Sequence, residues 1–207
     1  MKIVVVAGQG RKVGKTAVMA GLIRGLRSLG WTAVKITTHR GRLPHTGEKL
    51  PRRSSSKQRF VLTEEREPSG EGDTGRYLAA GATRALWLRT RRESLREAWP
   101  VLLRRLGGDR FVMIESNSVL GLLAPTVALF VRDRHVREFK VSAQKALARA
   151  DAIVNVEAPT ALKCRPGPGE VTGVPIFAVA RPDYSNRELC RFVRRKLRSA
   201  TPPEPGR

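Results

Sequence analysis

Acidic residues are scarce in this chain: 18 aspartates and glutamates stand against 40 lysines and arginines, for a net charge of +22. Such an excess ordinarily points to nucleic acid. Aromatic residues are scarce as well, and at 5% they are too few for a stacking platform along a single strand. Of the 40 cations 30 are arginines, spread over every segment, which fits a compositional arginine bias at least as well as a polyanion groove. The densest runs are Arg52-Arg53 and the set Arg191, Arg194, Arg195, Lys196 and Arg198; they read first as solvated surface, then as contacts for a phosphate-rich ligand or an acidic partner. The two cysteines, Cys164 and Cys190, fit no metal spacing and suggest packing in a reducing compartment, with a disulfide left open. His39, His45 and His135 are too scattered to argue zinc from spacing. No apolar run is long enough to span a bilayer, and the N-terminus reads as a strand and not a signal peptide, so the expectation is a cytoplasmic protein.

What is present begins at once. An unbroken apolar run, Ile3 to Ala7, reads as a strand buried on both faces. Gly8-Gln9-Gly10-Arg11-Lys12-Val13-Gly14-Lys15-Thr16-Ala17 follows, and then Val18, Leu22, Ile23, Leu26 and Leu29 at helical spacing. Strand, glycine-rich turn, Gly-Lys-Thr and helix form the context of a phosphate-binding loop. The backbone N–H groups from Gly10 to Ala17 would form a nest for phosphate oxygens. Lys15 would reach the β- and γ-phosphates, and Thr16 would hold Mg²⁺. In the motif G-x-x-x-x-G-K-S/T the first glycine falls on Gln9. Either Gln9 takes that place, or the turn starts at Gly8 and is one residue longer. The bland alternative is a glycine-rich turn in a Rossmann-like domain that binds no nucleotide.

Apolar runs at 2–7, 31–37, 84–88, 110–115, 126–131, 151–156 and 176–180 read as strands. Helical patterns at 14–29, 73–82, 92–105, 142–150 and 185–198 alternate with them, the last opening on a capping box at Ser185 to Glu188. The fold expected is α/β, a P-loop NTPase three-layer sandwich with a mostly parallel sheet and helices on both faces. Residues 1–198 would form a single domain, with a flexible insertion at about 40–72 acting as a flap over the substrate or simply disordered. Gln58 to Thr63 would be a short strand within it, and 199–207 a disordered tail.

Two further segments carry chemistry. Phe111 to Ile114 is a buried run ending on Glu115, the way P-loop proteins set an acid beside the metal; Glu115 would bind Mg²⁺ or orient an attacking water. Gly72 to Ala82 opens a helix in which Asp73 or Thr74 would cap and Arg76 would face solvent or an anion.

These residues together resemble the MobB-type molybdopterin-guanine dinucleotide biosynthesis proteins. Three segments carry the resemblance: the phosphate loop with its helix; Val34 to His39 continuing to Asp73-Thr74 and Arg76 to Ala82; and the strand ending Ile114-Glu115-Ser116. Residues 1–120 are covered well and the remainder in pattern only. The family's histidine-rich segment is reduced here to His39, with His45 nearby, and Ser116-Asn117 stands where the family has glycine. The resemblance implies a GTP-binding accessory protein of molybdenum-cofactor synthesis, acting on molybdopterin with a nucleotidyltransferase partner. It further implies a homodimer, slow GTP hydrolysis, a nucleotide held by Gly14, Lys15 and Thr16, and Glu115 at the metal.

The residues themselves leave GTP and ATP open. Asn155 reads as a strand-end amide able to bond a purine base, and Arg181-Pro182-Asp183 as a loop able to close over one. An ATP-dependent ligase or kinase of the dethiobiotin-synthetase kind, using Lys35 on a small acid, stands as the alternative; a nucleic-acid-binding P-loop protein comes third. Arg11, Lys12 and Arg76 are the candidates for an arginine finger, which a partner chain could equally supply.

Overall fold

The computed structural model describes residues 1–41, 59–68, 71–133, 136, 139, 141–157 and 173–199. The flap expected over the middle of the 40–72 stretch, His45, Cys164 and the tail from residue 200 lie outside these residues.

The described chain alternates strand and helix: β1 (Lys2–Gly8), α1 (Lys15–Gly25), β2 (Thr32–His39), β3 (Phe60–Glu65), α2 (Gly72–Ala79), β4 (Arg84–Arg91), α3 (Leu95–Leu106), β5 (Phe111–Glu115), β6 (Val127–Asp133), α4 (Val141–Leu147), β7 (Ala152–Glu157), β8 (Ile176–Ala180) and α5 (Arg187–Ser199). The strands form one eight-stranded sheet in the order β3-β4-β2-β5-β1-β6-β7-β8. All neighbours run parallel except the edge strand β3, which lies antiparallel to β4. The short strand expected at 58–63 is thus real sheet, shifted to 60–65, and part of the presumed insertion is a half-buried edge strand.

Period-two alternation explains the layers. Val4 and Val6 of β1 face one apolar cluster, with Leu22 and Ile23 of α1, Tyr77 of α2 and Phe192 of α5. Val5 and Ala7 face the other, with Leu95 and Leu102 of α3 and Ala143 of α4. The result is a three-layer α/β sandwich with helices on both faces, as expected of a P-loop NTPase. From β1 the chain crosses to one side, where β4 and then β5 fill in behind β2 and β3, and from β6 to β8 it runs outward on the other, so the order reverses beside β1, where doubly wound sheets leave a crevice at their carboxyl ends.

Caps differ from the sequence reading in two places. Asn186, not Ser185, caps α5, its Oδ1 accepting from the Leu189 N–H at 2.8 Å. Glu71 occupies the N-cap of α2 with no side-chain cap bond, which leaves Asp73 for another partner.

Helix α1 lies tightly on the turn after β8. A Cβ on Gly21 would sit 2.4 Å from the backbone carbonyl oxygen of Tyr184. Alanine favours a helix over glycine by up to ~1 kcal/mol, but overpacking against backbone costs about 1–3 kcal/mol. Gly21→Ala is therefore expected to lower stability by about 1–2 kcal/mol, read as a reduced urea midpoint at unchanged slope.

Candidate functional site

The loop between β1 and α1 stands at the sheet's carboxyl edge. Its first residue, Gly8, is clamped by Asn117 through two bonds: the Gly8 N–H donates to Asn117 Oδ1 at 2.8 Å, and Asn117 Nδ2 donates to the Gly8 carbonyl at 2.7 Å. A Cβ on Gly8 would come within 2.8 Å of both Lys15 Cγ and the Val131 carbonyl oxygen. Gly8 therefore meets the steric demand that the motif places on its first glycine. Gln9 has turned away: its N–H donates to the Val131 carbonyl at 3.0 Å, and its buried side chain donates to the Val136 carbonyl. Of the two sequence alternatives, the longer turn from Gly8 is the one formed.

Further along, Lys12 (φ 59°) and Gly14 (φ 89°) both take the left-handed conformation that curls successive N–H groups toward one point. Val13 between them is 1% exposed and anchors the loop in the core, so its side chain belongs to packing and only its N–H is free for a ligand role. No acidic residue sits in the first turn of α1, which leaves the helix N-terminus unopposed for an anion. Lys15 donates to the Gly10 carbonyl, its stem lying across Gly8.

Beside the loop lies a buried polar network. Glu115, the last residue of β5 and 2% exposed, accepts at Oε2 from the Thr16 hydroxyl at 2.8 Å and from the Tyr77 hydroxyl. Its Oε1 accepts from Lys35 Nζ, which also pairs with Asp73 at 2.8 Å. Register brings these groups together, since Glu115 lies opposite Val6 on one side and Lys35 on the other. Burial works to lower the Lys35 pKa, but the charges of Glu115 and Asp73 outweigh it and hold the ammonium above its ordinary value. Burial likewise pushes Asp73 up, and the Lys35 charge and hydrogen bond bring it below the usual carboxylate value. Burial and the adjacent Glu115 both raise Tyr77 well above a normal phenol. At neutral pH Asp73 is thus a carboxylate, Lys35 an ammonium and Tyr77 a phenol.

A stability consequence follows from the two signs. The depressed Asp73 stabilises the fold above its ordinary value of 3.8 and loses that contribution as pH falls through its lower folded value. The elevated Lys35 contributes below 10.5 and loses it as pH rises through its folded value. The melting temperature should be flat with respect to these groups between those limits. Asp73→Asn should lower the plateau and flatten the acid limb, as followed by thermal melts across pH.

Together these parts wall a cavity of about 620 Å³. Gly10, Arg11, Lys12, Gly14, Lys15, Thr16 and Ala17 line it from the loop, Glu115 to Ser118 from the end of β5, and Lys35, Asp73 and Arg76 from the far side. Arg181 and Tyr184, in the turn after β8, close its other end. All three candidate finger residues reach it. His39 ends β2, its Nε2 buried without a hydrogen-bond partner among the described residues, and burial, then Arg11 and Arg89, hold its pKa below the ordinary value.

Asn155 is the correction. It is the fourth residue of β7, not its end, is 0% exposed, and accepts from Arg132 Nε at 2.6 Å. It does not line the cavity, whereas Arg181, of the loop expected to close over a base, and Tyr184 do. Sequence reading missed Tyr77 and Asn117. Tyr77 lies four residues after Asp73 on a short helix, hence on the same face, and Asn117 lies two after Glu115; both spacings were legible once the network was sought.

The oxygen set suits a hard cation: a hydroxyl and a carboxylate 2.8 Å apart beside the left-handed turn of the loop. Among the described residues no group of three or more His, Cys, Asp or Glu is gathered around one point. Mg²⁺ held by one or two carboxylates plus substrate phosphates requires none. Among the described residues no helix is long and apolar enough to cross a membrane. Comparison with known proteins finds no matching family model, no matching curated protein and no matching solved structure.

Proposed function

We propose that this protein binds a nucleoside triphosphate with Mg²⁺ and cleaves or transfers its γ-phosphate slowly. The observation that carries the reading is the 2.8 Å bond from Thr16 to Glu115 at the mouth of a left-handed, glycine-clamped loop. The loop N–H groups and Lys15 would neutralise phosphate charge, and Thr16 with Glu115 would hold the metal, which supplies charge neutralisation between β- and γ-oxygens when bound. GTP is the nucleotide proposed, and an accessory role in molybdenum-cofactor synthesis the setting. Their support is that three segments carrying the resemblance to the MobB-type proteins, at Thr16, Asp73 and Glu115, converge on one hydrogen-bonded network.

One observation favours the second reading, an ATP-dependent ligase or kinase. A cavity of about 460 Å³ adjoins the first, shares Lys35 and Asp73 with it, and is walled by Glu65, Glu71, Thr74 and Trp87. That is room for a second substrate beside the γ-phosphate position.

Titration with fluorescent GTP and ATP analogues, with and without Mg²⁺ and with unlabelled competitors, tests both. Mg²⁺-dependent binding with GTP preferred supports the first reading and ATP preference the second. No binding of either sinks both.

A further inference from the structure

The opposite end of the sheet carries a second cavity, of about 340 Å³, between the start of β1, the start of β5, the 3-10 turn after α1 (Arg27–Leu29) and the last turns of α5. Four cations line it: Lys2, Arg110, Arg194 and Arg198. Leu29, Phe111 and Leu197 make its apolar floor, and among the described residues no carboxylate lines it.

Asp109, the neighbour of Arg110, is bound to Arg84 at 2.9 Å. Asp151 is held by Lys196 at 2.9 Å and by the Ala128 N–H at 2.8 Å. Asp109 and Asp151 are therefore each held by a cation outside the cavity. Among the described residues none of the four cations has a carboxylate partner: Lys2 donates to the Leu197 carbonyl, and Arg110 stacks 5.3 Å from the Phe111 ring centre. Four like charges converge on a recess, where low-dielectric walls focus their field.

We propose that this cavity is a binding site for a small phosphorylated ligand, separate from the loop at the other edge of the sheet. Guanidinium forks bond phosphate oxygens in pairs, and three around one recess with an ammonium suit a di- or polyanion better than a single carboxylate. The volume is at the small end of ligand sites, and the floor of Leu29, Phe111 and Leu197 accepts a compact apolar or ring portion. Lys2 opens β1 and Arg110 immediately precedes β5, its carbonyl accepting from the Lys2 N–H at 2.8 Å, which fixes both backbones before any ligand arrives.

The probe is inorganic pyrophosphate, titrated calorimetrically into the full chain carrying Lys15→Ala so that the loop at the other edge contributes little. Binding at one site is expected, weakened at least tenfold by adding Arg110→Gln and Arg194→Gln. Adding Arg191→Gln and Arg195→Gln instead removes the same charge from exposed positions of α5 outside the cavity, and should change affinity less than twofold. No binding to the Lys15→Ala chain overturns the site. Equal weakening by the two pairs also overturns it, in favour of a diffuse basic surface. Melting curves check that each variant folds; should the first pair fail, Arg198→Gln, exposed on the last turn of α5, carries the same expectation of weakened binding.

Discussion

Lys15→Ala is expected to weaken Mg²⁺-dependent triphosphate binding about 100-fold while moving the melting temperature by no more than ~2 °C. The ammonium rests on the Gly10 carbonyl of its own loop, a neutral acceptor that a phosphate oxygen would replace with a charged one. Hydrogen bonds to charged groups contribute about 1.5–3 kcal/mol, against ~1 for neutral pairs. A loss near 2.7 kcal/mol corresponds to about 100-fold. Stability should change little because the side chain is only half-buried and its ammonium bonds a carbonyl of its own loop. Competition titration of the variant beside a melt reads both quantities. A threefold loss or less would mean that Lys15 does not meet the phosphates, and the triphosphate reading would fall with it.

The loop shows where sequence reasoning reaches its limit. Strand, turn and helix around residues 2–25 were legible because the period switches from continuous apolar to helical within a few residues. Whether Gln9 disabled the turn was not legible. The answer depends on Val131 and Val136, which accept its backbone and side-chain donors from more than a hundred residues away. Asn155 failed for the related reason that a strand's end is set by its neighbour: pairing with Arg132 and Ala178 carries β7 two residues beyond it. Lys35 and Glu115 were each singled out, yet their direct pairing follows only from parallel register. Local pattern thus locates the elements and most cavity-lining residues, while their partners are decided by strand order.

That register sets up the second large effect. Glu115→Ala is expected to cost about 3–5 kcal/mol of stability, the usual range for removing one partner of a buried ion pair. For a chain of this length that corresponds to a fall of roughly 6–20 °C in melting temperature. The change would take an acceptor from three donors at once: Lys35 would keep only Asp73, and the Thr16 and Tyr77 hydroxyls would lose the oxygen they share. Glu115→Gln separates charge from shape. Its amide keeps one oxygen acceptor and the volume, so the melting temperature should recover much of that fall, while Mg²⁺-dependent hydrolysis drops a further 100-fold or more for want of the carboxylate. Lys35→Met combined with Glu115→Ala should cost less than the two single changes added, because the stranded ammonium is then gone. Melts of the four variants with single-turnover hydrolysis distinguish the roles. If Glu115→Gln hydrolyses at the wild-type rate, Glu115 is a structural anchor of Lys35 and Tyr77, and the metal is held by other groups.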